Sequence, residues 1–577
     1  MAATFLAGRT SSWTFAIGCI AVTIGVLLHV RMFADAGSMH YHMAGMAMGW
    51  DMAAGMALIV FGLLTAGHGL LPASRLKKHE HHETEVFIET TEDTKLTFAH
   101  WMLMAVMVVA LVIDTMKPAT LGFVLPGMRT EYGISQETVA LFPLSALVGT
   151  VVGSIVWGVL ADIYGRRASI LLSAILFVST AICGAMPAFE WNLLMCFMMG
   201  ASAGGMLPVA YALLAETIPT RPRGWALVLV GGLGTAGGYL VASGLSNILQ
   251  PDFGWRAMWL LGLPTGLLLI LLNGYIPESP KFLVFQGRIS EARETMKRFG
   301  SIVHIRPLAA VETAELPSRQ RSILRSMAFI KVTAALTITG LTWGLLNFGV
   351  LLWLPSELGA RGYDIVRASQ LLAQSTIIAF PALVLAALAY SLWSTKYTLV
   401  LAVTLTLAGL LGLLLIDNPI PGLDNPLIFM TLLIIGANGV IATILPYAAE
   451  TYPLYVRGRA TGWVAGMTKA GGIVAQLFGL FGAIPAIAVA AAVLSVPTVF
   501  SAILLAIWGS ETRGRVLSDI ELFEAEKPEG AATSRASAET RRGFRLGRAR
   551  RTPQSSLASR SPTRSLGRTE REPDRDS

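Results

Sequence analysis

Fourteen apolar stretches, each about twenty residues or longer, follow one another along most of this chain. They cover 12–30, 53–72, 99–124, 138–161, 168–187, 191–215, 224–248, 256–276, 328–354, 366–391, 397–416, 426–449, 459–482 and 486–508. A helix of that length crosses the hydrocarbon core of a bilayer. In lipid, every backbone N–H and C=O must be paired within its own segment, so the expected fold is an all-α polytopic membrane protein. A hydrophobic share of 54% with only 14% charged residues excludes a soluble chain. The first stretch follows Arg9 as a signal peptide would, but it is long and no small-residue cleavage site precedes Arg31, so it reads as a retained helix. Cys19, Cys183 and Cys196 lie in apolar stretches and give neither zinc spacing nor a disulfide framework.

Charge sets the expected orientation. Arg166 with Arg167, Arg221 with Arg223, the basic run after Pro277, and Arg457 with Arg459 fall in alternate loops, which the positive-inside rule places in the cytoplasm. An even number of spans then leaves both termini cytoplasmic, in an inner or plasma membrane. The net charge of +8 follows from these loops and an arginine-rich tail, and calls for no nucleic acid. The expected domains are a transmembrane hairpin (1–75), a polar cytoplasmic linker (76–97), a six-helix bundle (98–276), a second cytoplasmic linker (277–327), a second six-helix bundle (328–508) and a basic tail (509–577) too polar to fold alone.

An internal repeat supports the two bundles. Glu216-x-x-Pro219-x-x-x-Arg223-Gly224 returns as Glu450-x-x-Pro453-x-x-x-Arg457-Gly458, an offset of 234 residues. Such duplication is a common architecture of alternating-access carriers. Between two apolar stretches lies Gly158-Val-Leu-Ala-Asp162-Ile-Tyr-Gly165-Arg166-Arg167. Its glycines permit a tight reversal, and Asp162 can hold Arg166 or engage a helix terminus of the opposite half. Glu216 and Glu450 are placed to pair with loop arginines such as Arg223 and Arg457. These residues form the expected gate. The matching loop of the second half, Tyr390 to Lys396, has no acid or glycine at the corresponding places, so the gate is expected to be asymmetric.

With Gly204-Gly205-x-x-Pro208, Trp255-Arg256, Pro277-Glu278-Ser279-Pro280-Lys281 and Glu511-Thr512-Arg513-Gly514-Arg515, these motifs stand in an order that resembles the major facilitator superfamily. The likeness covers about 99–521 and lies in the branch of sugar porters, synaptic-vesicle-type transporters and metabolite:proton symporters. It implies two six-helix bundles, here preceded by two extra helices, and a secondary active transporter working as a monomer in the bilayer. No cofactor is implied beyond a coupled proton.

Ionisable groups deep in apolar stretches point to the transported species, because an unpaired charge there is costly. Asp114 and Lys117, three residues apart, share a helix face and can pair or alternate partners. Asp114 is the expected proton carrier; the bland reading is a static pair beside Pro118. Lys469 is a candidate counter-charge for an anion, with Lys117 as the other half of a central clamp, unless it snorkels to the cytoplasmic surface. Tyr211, Trp343, Asn347, Gln370, Gln374 and Asn438 supply donors and aromatic surface for a small polar solute. The expected substrate is a small carboxylate. A sugar or an exported compound is the alternative, although the glutamine pair expected for hexose binding is missing. The outer segment from Met39 to Met52 carries methionine and histidine ligands that suit copper, but its expected role is packing, and no metal site is assigned.

Overall fold

The computed structural model describes residues 2–71, 95–300, 326–351, 365–414, 426–453, 456–482 and 485–514. The polar linker at 72–94, the segment 301–325 and the arginine-rich tail from 515 onward lie outside the described residues. Of two compact units, Met1–Ala525 and Glu526–Ser577, the second falls wholly within that tail.

The helices are α1 (Ala2–Asp35), α2 (Trp50–Leu70), α3 (Phe98–Tyr132), α4 (Leu141–Tyr164), α5 (Arg166–Ser179), α6 (Phe189–Thr217), α7 (Thr220–Phe253) and α8 (Gly262–Leu271). Two short helices follow, α9 (Pro280–Phe285) and α10 (Ile289–Arg298). Then come α11 (Met327–Leu345), α12 (Ile365–Leu392), α13 (Thr395–Leu414), α14 (Pro426–Thr451), α15 (Arg457–Leu480) and α16 (Ile487–Trp508). Among the described residues, twelve helical stretches are long and apolar enough to cross a membrane, so the chain is an all-α multi-pass membrane protein. Helices α12 and α15 fall outside those twelve. In α12 the apolar stretch is the shorter Pro381–Leu392.

Punctuation follows local chemistry. Gly165, at φ +107°, makes the break between α4 and α5, and few side chains tolerate that backbone. Ser279 and Ser326 cap α9 and α11 by accepting from the N–H groups of Phe282 and Phe329. Helix α10 turns Ala292 and Met296 inward, and the following Phe299 sets its ring 4.8 Å from that of His100 at the start of α3.

Within the first repeat α4 packs on α6 and α3 on α7; within the second, α13 packs on α14 and α11 on α15. The repeats meet where α4 packs on α15 and α7 on α12. Helix α4 meets α6 backbone to backbone. A Cβ at Gly153 would lie 2.2 Å from the Ala201 carbonyl oxygen, which the helix cannot move. Gly153→Leu should therefore force the two helices apart at a cost of about 1–3 kcal/mol. Thermal unfolding of the purified protein in detergent measures this, and an unchanged midpoint would contradict the packing.

Candidate functional site

Helices α4, α6 and α14 end, and α5, α7 and α15 begin, at one end of the molecule, where the motif charges converge. Gly158 permits close approach of α4 to α15, since a Cβ there would meet the Gly458 carbonyl oxygen at 2.4 Å. One turn further on, the Asp162 carboxylate reaches the opposite half. It accepts from the backbone N–H of Gly458 (3.0 Å) and of Arg459 (2.9 Å), the first donors of α15. A carboxylate on the exposed N–H groups of a helix start is the favourable polarity.

Behind this contact lies a buried ion network. Arg166 donates to Glu216 (2.9 Å) and lies 3.5 Å from Asp162; Arg457 donates to the same Glu216 oxygen from the other half (3.1 Å). Arg223 of the first half donates to Glu450 of the second at 3.0 Å. Each repeated glutamate thus pairs with the repeated arginine of the other bundle, crosswise. The four side chains in these two crossed pairs are at most 3% exposed. Arg167 stays within its own half and donates to Asn273.

Several residues not singled out as gating from sequence complete the arrangement. Glu450 also accepts from the Tyr390 hydroxyl (2.8 Å) and the Thr512 hydroxyl (2.9 Å). Glu278 accepts from the N–H groups of Arg166 and Ser279 and so caps α5. Glu511 accepts from the Thr395 N–H (3.0 Å) and the Ser394 hydroxyl, and caps α13 in the same way. The two caps are 233 residues apart (511 less 278), one short of the glutamate–arginine offset, and that near-coincidence was readable in the sequence. Burial pushes Glu278 above the usual carboxylate range in spite of its N–H donors and Arg166. At Glu511 the burial penalty is outweighed by the hydroxyls of Ser394 and Thr395 with two N–H donors, which hold it below that range.

A second constellation lies away from the charged end. Asp114, near the middle of α3, is 8% exposed, and Lys469 lies on α15 of the other half. Lys469 stands twelve residues past Arg457, about 18 Å along the helix, too deep to reach the charged end. Neither makes an ion pair within 4.0 Å with another described residue. The Lys469 ammonium instead lies 5.3 Å from the Trp343 ring centre and 5.1 Å from that of Phe348, in cation–π geometry. The Trp343 indole is fixed by donating to the Ala437 carbonyl at 2.8 Å, next to the exposed Asn438. Phe348 and the half-buried Asn347 belong to a π-helical turn, Leu346–Val350, which follows α11 and whose Phe348 carbonyl accepts from Gln476 (2.7 Å). Such turns recur at functional sites. Tyr211 is buried on α6 with its hydroxyl against Gly231, and Gln374 is exposed on α12. The side chain of Gln370 lies outside the described residues.

Lys117 does not join Asp114 or Lys469. Its fully buried amine points the other way and donates to the Phe177 carbonyl (3.1 Å) and the Thr180 hydroxyl (2.6 Å), above the Phe177 ring. The two lysines expected from sequence to face one another therefore stand apart, Lys469 beside two aromatic rings and Lys117 against α5. The reason is steric: Gly262 leaves room on the far face of α3, where a Cβ would meet the Lys117 amine at 2.5 Å.

Removing the charge at Asp162 weakens its hold on α15, whereas removing one member of a buried pair strands its partner. Asp162→Asn is expected to abolish uptake with membrane abundance intact, and unchanged transport in vesicles would rule out a gating role. Arg223→Met, which leaves Glu450 buried without its cation, should cost about 3–5 kcal/mol in thermal unfolding, and pairing it with Glu450→Leu should recover part of that loss. A double variant no more stable than the single one would contradict this.

Residues 102–476 match the family model of the Major Facilitator Superfamily. The chain is 26% identical over 449 residues to a niacin transporter of Acinetobacter baylyi, covering 73% of this chain and 97% of that protein. It is 25% identical over 396 residues to a 4-hydroxybenzoate transporter of the same organism, covering 66% and 84%. Among solved structures, the proton:xylose symporter of E. coli, bound to 6-bromo-6-deoxy-D-glucose, shares the fold with a TM-score of 0.61 at 16% identity, over 74% of this chain and 98% of that one. The chain belongs to the major facilitator superfamily and is a secondary active transporter, not an enzyme.

Proposed function

We propose that this protein is a symporter that carries one small monocarboxylate, with an aromatic ring, together with one proton by alternating access. The observation that carries this reading is the placement of buried Asp114 on α3 of one half and Lys469 on α15 of the other, with Trp343 and Phe348 around the ammonium. Ionised Asp114 and protonated Lys469 sum to zero. Protonating Asp114 leaves one positive charge, on Lys469, which a carboxylate neutralises. Empty and fully loaded sites are then both neutral, while the half-loaded ones carry a charge that is costly to move through a low-dielectric interior. The two rings offer stacking surface to a planar acid, in keeping with the relatives named for niacin and 4-hydroxybenzoate. Tyr211, Asn347, Gln370, Gln374 and Asn438 are further proposed substrate contacts. In this reading Lys117 is a structural residue.

The proposed topology has fourteen spans, with α12 and α15 added to the twelve stretches above, and a monomeric transport unit. Helix α15 is depleted in hydropathy by Arg457, Arg459 and Lys469, residues that serve the gate and the site. The charged end faces the cytoplasm, with both termini, because its loops hold the clustered arginines. The crossed ion pairs then close the cytoplasmic side, and opening inward requires breaking them. Gly158, Asp162, Gly165, Arg166, Arg167, Glu216, Arg223, Glu450 and Arg457 are the proposed gating residues.

Proteoliposomes under an acid-outside gradient test the reading, with labelled benzoate, 4-hydroxybenzoate, nicotinate and xylose as probes. Saturable uptake of at least one aromatic acid is expected. Asp114→Asn should lose gradient-driven accumulation but keep counterflow. Lys469→Gln should raise KM about ten-fold or more, the effect of losing a charge-assisted hydrogen bond worth about 1.5–3 kcal/mol. Uptake confined to the sugar, or full accumulation by Asp114→Asn, would overturn it.

A further inference from the structure

The hairpin α1–α2 precedes the matched span at 102–476 and takes no part in the gate or the central site described above. It nevertheless lies on the element that holds Lys117. Val22, Val26, Ile59 and Ala66 share one buried apolar cluster with Ile175, Val178, Ala181 and Ile182, along α5 and the 3₁₀ turn that continues it. The connection between α1 and α2 is keyed to a single acid at the end of α3 remote from the gate. The backbone N–H groups of Met43 (2.8 Å) and Ala44 (3.0 Å) both donate to one oxygen of Glu131. The same carboxylate accepts from the Trp255 indole (2.7 Å) and the Arg256 guanidinium (2.7 Å). Arg256 in turn donates to the carbonyls of Gly184 (3.3 Å) and Met186 (2.8 Å) at the end of the 3₁₀ turn that continues α5. Met43 itself is fully buried, in a cluster with Phe33, Ala36 and Ala185. The Glu131 side chain is 6% exposed.

What this clamp restrains follows from the prolines of α3. Pro118 has no N–H, so the carbonyl four residues back, that of Asp114, lacks its helical donor; Pro126 does the same to Gly122. Helix α3 therefore has two weakened turns, one carrying Asp114 and one carrying Gly122. Within the Asp114 turn Lys117 ties α3 to α5, and beyond it Glu131 ties the end of the helix to the hairpin connection, Trp255 and Arg256. Residues 119–132 run from the Asp114 turn across the Gly122 turn to the clamp, so the clamp is what holds this twice-weakened segment in place.

We propose that the N-terminal hairpin is a brace that holds the outer half of α3 through Glu131, and that Glu131 is thereby a positioning residue for Asp114. The brace stands on geometry alone, whereas its consequence for Asp114 rests on the proton-carrier reading given above. Met43→Asp sets a second carboxylate against Glu131 and ejects the connection, while Glu131, Trp255 and Arg256 remain. Glu131→Gln removes the charge that gathers the donors. Amide hydrogen exchange of the full-length purified protein, with no substrate added, decides the matter. In Met43→Asp, exchange at 119–132 is expected to quicken about ten-fold or more with 98–113 unchanged, and Glu131→Gln should act at least as strongly. Unchanged exchange at 119–132 in a folded Met43→Asp protein would overturn the brace. With the brace intact by that measure, a pH midpoint of benzoate uptake that is the same in Met43→Asp and wild type would overturn the positioning role; a merely structural anchor would alter protein yield without moving that midpoint.

Discussion

The rest of the molecule depends on two carboxylates held by the opposite half. Asp162 sits on the first N–H groups of α15, and Glu216 shares one oxygen between Arg166 of its own bundle and Arg457 of the other. Buried charges of this kind tolerate only two conditions, fully paired or fully solvated, because a half-paired charge in a low-dielectric setting is costly. A contact with that property switches rather than slides. The duplicated sequence supplies it twice, crosswise, so neither bundle can release alone.

In the proposed cycle the central site works by the same arithmetic on a smaller scale. One acid and one base, on helices of different halves, cancel when empty. Each half-loaded state leaves a charge that favours the missing partner. The aromatic faces around Lys469 compensate its poor hydration and leave it available to an incoming acid, which a tight ion pair would not. The two sites share α15: its first turn carries the Asp162 contact, and a point about 18 Å further along carries Lys469. A movement of that one helix affects both.

Much of this was legible in the sequence, for reasons that also mark where legibility ended. Apolar length identified the twelve stretches that are long and apolar enough to cross a membrane, since lipid leaves helices few alternatives. Helix α15 was found by run length although its charges lower its mean hydropathy. The offset of 234 residues identified Glu216, Arg223, Glu450 and Arg457 as equivalent, but equivalence does not say which half supplies the partner, and the crossing emerged only in three dimensions. A spacing of three correctly put Asp114 and Lys117 on one face of α3. A lysine side chain is long enough to leave that face, however, and the space beside Gly262 drew it to Phe177 and Thr180. Phe348 gave no signal because the π-helical turn that presents it has no sequence signature. Glu131 was not singled out in the sequence, since its four donor residues come from two distant parts of the chain.

Electroneutral symport of one proton with one monocarboxylate is the central claim, and charge movement tests it most directly. Proteoliposomes adsorbed to a capacitive membrane, challenged with benzoate or nicotinate, report net charge, while an entrapped pH dye reports protons. Uptake with one proton per labelled acid and no net current, insensitive to an imposed membrane potential, is the predicted result. A substrate-dependent current of one charge per transported acid would contradict it.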